Sequence, residues 1–202
     1  MKINDFEKSI SLRLLEIEED VINDILSNCS NSIKVFKEYN ELLFSGMVNR
    51  GTYFTFIDHS PIHRRPRGMS IDEQEYIDEC LTLAGFSALR SNSIFCISDY
   101  SQAKNFGDAF IIIPINGFSF TGINSRRYLN YVSLPDISGD DGVTIDMADF
   151  IVRNYGFFHD DFAHAVFSEN EVMINGSYRA LRLKSPGTKR ILKKLGLDIK
   201  QR

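Results

Sequence analysis

Tryptophan is absent from this chain, and cysteine is limited to Cys29, Cys80 and Cys96. Three widely spaced cysteines form neither a metal pair nor a disulfide framework, which leads us to expect a reducing, cytoplasmic setting. No stretch approaches the roughly 20 apolar residues that a membrane span requires. The opening MKINDFEKSISLRLLEIEED lacks a continuous apolar core, so it does not read as a signal peptide. Glycine-rich phosphate loops are missing as well, which argues against a P-loop or Rossmann enzyme. Proline is sparse, with five residues in 202, and no internal repeat or low-complexity linker interrupts the chain.

What is present is ordinary globular material. Apolar residues make up 43% and charged residues 25%, and sixteen Phe with eight Tyr supply the bulk of a core. That is enough apolar surface to offset chain entropy, so disorder is excluded as the main state. The net charge of −4 hides an asymmetry. Residues 179–202 hold nine Lys or Arg against one acid, a local +8, whereas the remainder carries 14 bases and 26 acids, or −12. Such a basic block suits either contact with nucleic acid or an acidic partner, or a solvated last helix.

The length fits one domain over 1–202. Its parts would be a helical N-terminal region (1–40), a core (41–183) and a basic C-terminal helix (184–202). Phe6, Ile10, Leu14, Ile17, Val21 and Ile25 recur every three or four positions and predict a helix over 5–28. A second helix is expected at 32–39 and a strand at 41–46. Residues 50–58 read as strand or extended loop, and the proline-broken 59–68 as irregular. Ser70 with Glu73 forms a capping box for a helix ending near Gly85. Strands are expected at 93–98, 109–115, 171–174 and 178–183, and helices at 100–106, 146–155 and 186–195. Residues 116–145 and 156–170 read as connections. Helices first and mixed elements afterwards place the chain in the α+β class.

The segment richest in chemistry is Ser168-Glu169-Asn170-Glu171-Val172-Met173-Ile174-Asn175-Gly176. On a strand, residues i and i+2 share a face, so Glu169 and Glu171 would line one pocket. Paired carboxylates can divide labour, one stabilising developing positive charge and the other handling a nucleophile, which suits glycosidic-bond cleavage. The plain alternative is two exposed carboxylates at the start of a strand.

Glu169-x-Glu171 before an apolar strand and a glycine turn resembles the E-x-E motif of mono-ADP-ribosyltransferases, including the small phage-encoded ones. Phe95-Cys96-Ile97-Ser98-Asp99 with Ala103 and Phe106-Gly107 resembles that family's Ser-x-Ser strand and the short helix after it. Leu43-Phe44-Ser45-Gly46 resembles its first strand, usually written aromatic-Arg-Gly. The three segments come in the family's order. The resemblance implies a split β-sheet core behind N-terminal helices, NAD as co-substrate and a macromolecular acceptor, either protein arginine or nucleic acid. It implies that Glu171 holds the ribose and stabilises its cation, while Glu169 serves the acceptor. The loop bearing Phe157, Phe158, His159 and Phe162 would recognise the target, unless these rings are core.

Two positions depart from the pattern. Ser45 stands where the family has its phosphate-gripping arginine, and Cys96 stands where it has its first serine. Arg50, Arg64, Arg65, Arg67 and Arg90 are candidates for the guanidinium, whose planar fork pairs bidentately with phosphate. Ser91, Ser93 and Ser98 are candidates for the hydroxyls. A degenerate binding or inhibitor module is the alternative to an enzyme. No metal is expected. Pro61 breaks the His59/His63 spacing, His159, Asp160, Asp161 and His164 read as polar loop, and Asp136, Asp140 and Asp141 match a calcium loop only loosely.

Overall fold

The apolar periodicity at the start of the chain produces a long helix, α1 (Ile3–Asn28), and after Cys29 a second, α2 (Ser30–Tyr39). The computed structural model describes residues 3–48, 50, 54–66, 68–124 and 142–199. Next come β1 (Leu43–Met47), β2 (Thr55–His59), α3 (Ile71–Leu83) and β3 (Ile94–Cys96). The short α4 (Tyr100–Ala103) runs into a 3-10 turn, Lys104–Phe106, and leads to β4 (Asp108–Pro114) and β5 (Ser119–Ile123). The remainder is α5 (Ile145–Tyr155), β6 (Phe157–Phe158), α6 (Phe162–Phe167), β7 (Val172–Asn175), β8 (Ser177–Arg182) and α7 (Pro186–Leu195). Arg67 and the Asp136, Asp140 and Asp141 group lie outside the described residues.

The strands form two four-stranded antiparallel sheets, in the orders β1-β4-β8-β2 and β3-β7-β5-β6. The class is therefore α+β. The uninterrupted apolar run of β4 is buried from Ala109 to Pro114, where the strand lies between β1 and β8 and joins a large apolar cluster. Val21, Ile22 and Ile25 of α1, Phe36 of α2, and Ile191, Leu192 and Leu195 of α7 join it in one apolar cluster. A second cluster joins α3 and α5 to Ile123, Phe157 and Met173 of the second sheet. Among the described residues no helix is long and apolar enough to cross a membrane.

The charge asymmetry is resolved in part inside the fold. α7 lies along α1, where Arg190 donates three hydrogen bonds to the carboxylate of Glu18 and Lys194 Nζ sits 2.6 Å from Glu19 Oε2. Arg179 of β8 pairs with Asp24 of α1 at 2.5 Å. The basic block thus spends several of its charges on an acidic helix of the same chain instead of presenting them all to a partner.

Candidate active site

A cleft of about 540 Å³ opens between the ends of the two sheets. Its floor is built from β1, β3 and Tyr178 of β8, and one wall is the irregular segment that carries Arg64 and Arg65. Glu171 lies in it, one residue before β7, which pairs with β3 through Val172 and Cys96.

Two buried polar residues of α3 organise the arginine side of the cleft. Gln74 and Asp78 are one turn apart, facing inward on a helix whose capping box is formed as expected. The Asp78 carboxylate accepts the backbone N–H groups of Arg90 (2.7 Å) and Ser91 (3.0 Å). Gln74 Nε2 donates to the Arg64 carbonyl at 2.9 Å, and the Arg64 N–H donates to the Ser91 carbonyl at 2.6 Å. The loops on either side of α3 are therefore tied to it and to each other. The guanidinium of Arg64 lies 3.8 Å from the Phe95 ring centroid, and that of Arg90 lies 5.1 Å from it.

Arg90 is only 4% exposed. Its Nη1 stands 4.0 Å from Glu171 Oε1, and neither atom has a hydrogen-bond partner among the described residues; Arg90 Nε is likewise unpartnered. Burial pushes the Glu171 carboxyl above the ordinary carboxylate range, and the charges of Arg90 and Arg64 pull against that rise. Burial lowers the Arg90 value, with Glu171 and Asp78 opposing. Burial also pushes the Cys96 thiol up, which makes it a core cysteine and not a nucleophile.

Several expected site residues meet here: Glu171, Arg50, Arg64, Arg65, Arg90 and Ser93 all line the cleft. Arg50 is engaged with Asp58 at 2.8 Å, and the Ser93 hydroxyl is bonded to Asn92 Oδ1 at 3.1 Å. Ser91 contributes its backbone to the Asp78 turn and does not line the cleft.

Two expectations, for Glu169 and Ser98, need correction. Glu169 does not share a strand face with Glu171. Helix α6, missed in the sequence, ends at Phe167, and Glu169 adopts the left-handed conformation (φ 59°) that turns the chain toward β7. Glu169 and Ser98 instead line a separate cavity of about 150 Å³, together with Glu41, Asp99 and Asp198. For the aromatic segment the core alternative holds for the three phenylalanines. Phe157 is 5% exposed and packs edge-on against Phe86, Phe158 lies against Phe120, and Phe162 packs on Phe36, Phe118 and Phe120. Only His159 of the four is exposed, with its ring 4.3 Å from that of Phe86. Sequence reasoning also missed Asp58, Gln74, Asp78 and Tyr178. The signal for Gln74 and Asp78 was a pair of polar residues in the apolar stripe of α3, beside Ile77 and Leu81.

No group of three or more His, Cys, Asp or Glu residues arranged to hold a metal occurs among the described residues. Comparison with known proteins found no family model, curated protein or solved structure that matches this chain.

Proposed function

We propose that the chain is an NAD-consuming ADP-ribosyltransferase whose central residue is Glu171. The observation that carries this reading is a half-buried carboxylate at the head of a central strand, in a cleft that also gathers Arg50, Arg64, Arg65 and Arg90. The motif order supports it: the Leu43–Met47 strand, the Ile94–Cys96 strand and the strand after Glu171 meet around one cleft, as a split-sheet transferase core would require.

The residues fit a dinucleotide. The volume lies within the usual range for ligand sites, roughly 300–1,000 Å³. Arg64 and Arg65 offer cationic partners for a diphosphate, and the exposed part of the Glu171 carboxylate offers an acceptor for ribose hydroxyls. In the reaction, the bond between nicotinamide and the ribose C1′ breaks and its electron pair leaves with nicotinamide. Glu171 stabilises the resulting cation, a nucleophile of the acceptor forms the new bond at C1′, and its proton is released. The acceptor is a macromolecule, protein or nucleic acid.

One observation favours the alternative, a degenerate binding or inhibitor module. Ser45 lines the cleft where the resemblance calls for an arginine. The deciding experiment is incubation of the chain and of Glu171→Gln with labelled NAD and a cell lysate. Label transfer or nicotinamide release that disappears in the variant establishes the enzyme. Neither product from the unaltered chain, combined with saturable NAD or ADP-ribose binding, establishes the module.

A further inference from the structure

We infer that Arg90 is a positioning residue for Glu171, holding that carboxylate ionised and aimed into the cleft. The inference rests on the transferase reading and deepens it. In the resembled family a strand hydroxyl orients the glutamate. Here that position is the buried thiol of Cys96, a weak donor, and the nearby Ser93 hydroxyl is taken by Asn92. The charged group facing Glu171 most closely is Arg90, at 4.0 Å.

Location separates Arg90 from the other arginines of the cleft. Arg50 and Arg65 are exposed and Arg64 is half-buried, all accessible to a large anion. Arg90 is almost wholly buried, with its backbone locked by the Asp78 carboxylate. Burial favours the protonated form of the Glu171 carboxyl, and a protonated Glu171 cannot stabilise a cation. Asp78 on α3, Arg64 on the opposite loop and the Cys96 thiol on β3 are the other titratable or charged groups coupled to this pair. At 4.0 Å the two facing atoms are buried and have no other hydrogen-bond partner, so each is the nearest opposite charge available to the other.

Two measurements test the inference. The first needs no change to Arg90: the ¹⁵Nε signal of Arg90 is followed against pH in the unaltered chain and in Glu171→Gln. A titration step that vanishes in the variant is expected, and absence of the step overturns the inference. The second compares nicotinamide release by the unaltered chain, Arg90→Gln and Arg90→Lys. In Arg90→Gln kcat should fall roughly tenfold or more, the acid limb of the profile should move to higher pH, and KM for NAD should stay within about threefold. Arg90→Lys should return the acid limb to its place and recover part of kcat. A raised KM with kcat and limb unchanged would make Arg90 an anion grip and overturn the inference. If Arg90→Gln does not fold, the Lys variant and the signal of the unaltered chain decide. If the unaltered chain releases no nicotinamide, the transferase reading fails, and the titration step alone decides whether Arg90 holds Glu171.

Discussion

Phe44 and Ile97 exchange paired backbone hydrogen bonds, with the Phe44 N–H donating at 2.7 Å and the Ile97 N–H at 2.9 Å. The bridge joins the first strand of one sheet to the end of β3 in the other. Phe44 lines both cavities, with Glu171 in one and Glu169 in the other. Two glutamates separated by a single residue therefore belong to two compartments, and their chemistry separates with them.

This separation makes the two carboxylates distinguishable. On the transferase reading, Glu171→Gln should lower nicotinamide release by about a hundredfold or more, since it removes the charge that stabilises the cation. Glu169→Gln should leave release within about threefold, because its side chain lines the other cavity. Steady-state assays of both variants check this. A comparable loss in both would mean that Glu169 reaches the larger cleft during turnover.

Much of this arrangement was legible in the residues. The capping box of Ser70 and Glu73, the buried β4 run and the bounds of the basic helix α7 follow from local pattern alone, and each appears as expected. Legibility ended where tertiary contacts override local signals. The segment 156–170 looks like a loop because it is short, polar at its acids and histidines, and without a sustained period. Phe157 and Phe162 pack inward because distant segments supply their partners, Phe86 for the first and Phe36, Phe118 and Phe120 for the second. The i and i+2 argument for Glu169 and Glu171 failed because both precede β7, in the turn after α6 where Glu169 is left-handed. Arg90 was one of several candidate guanidiniums in the sequence. Its distinction is burial, which depends on Asp78 twelve residues away.

On the transferase reading, the pair formed by Arg50 and Asp58 would act as a brake on anion binding. The guanidinium lies on the cleft wall, 2.8 Å from a carboxylate that also accepts the Tyr178 hydroxyl at 3.4 Å. Removing the acid leaves Arg50 free to serve a phosphate. Asp58→Asn should therefore tighten NAD or ADP-ribose binding by about two- to fivefold, the scale of a partly exposed ion pair. The gain should shrink as salt is raised. Calorimetric titration at two ionic strengths measures both, and weaker binding in the variant would assign Asp58 to ligand contact.

Gly46 reports how closely the first sheet approaches α4. A side-chain carbon there would collide with the Ala103 carbonyl oxygen and come within 2.8 Å of Phe106 Cβ. Neither neighbour is the loose end of a side chain, so backbone must move. Gly46→Ala should destabilise the chain by about 1–3 kcal/mol, the usual range for overpacking. Because Gly46, Ala103 and Phe106 also line the cleft, ligand affinity should fall with stability. Urea unfolding with a parallel binding assay checks the pair of effects, and a variant as stable as the parent would refute the close approach.

The cap of α3 links acid stability to the arginine side of the cleft. The Ser70 N–H donates to Glu73 Oε2 at 2.6 Å, and the Glu73 N–H donates to Ser70 Oγ at 3.1 Å. The hydrogen bond from the Ser70 backbone holds the Glu73 carboxyl below its ordinary value of 4.5. A carboxyl with a lowered folded value stabilises the fold fully above the unfolded value and loses that contribution as pH falls through the folded one. Urea unfolding should show Glu73→Gln less stable than the parent at pH 7, with the difference closing below pH 4.5. Ser70→Ala, which deletes the hydroxyl, should cost about 1 kcal/mol at neutral pH. Since α3 carries Gln74 and Asp78, acid that frays its first turn also loosens the loops that carry Arg64 and Arg90. A difference between Glu73→Gln and the parent that stays constant down to pH 3 would mean that the carboxylate charge contributes nothing to the cap.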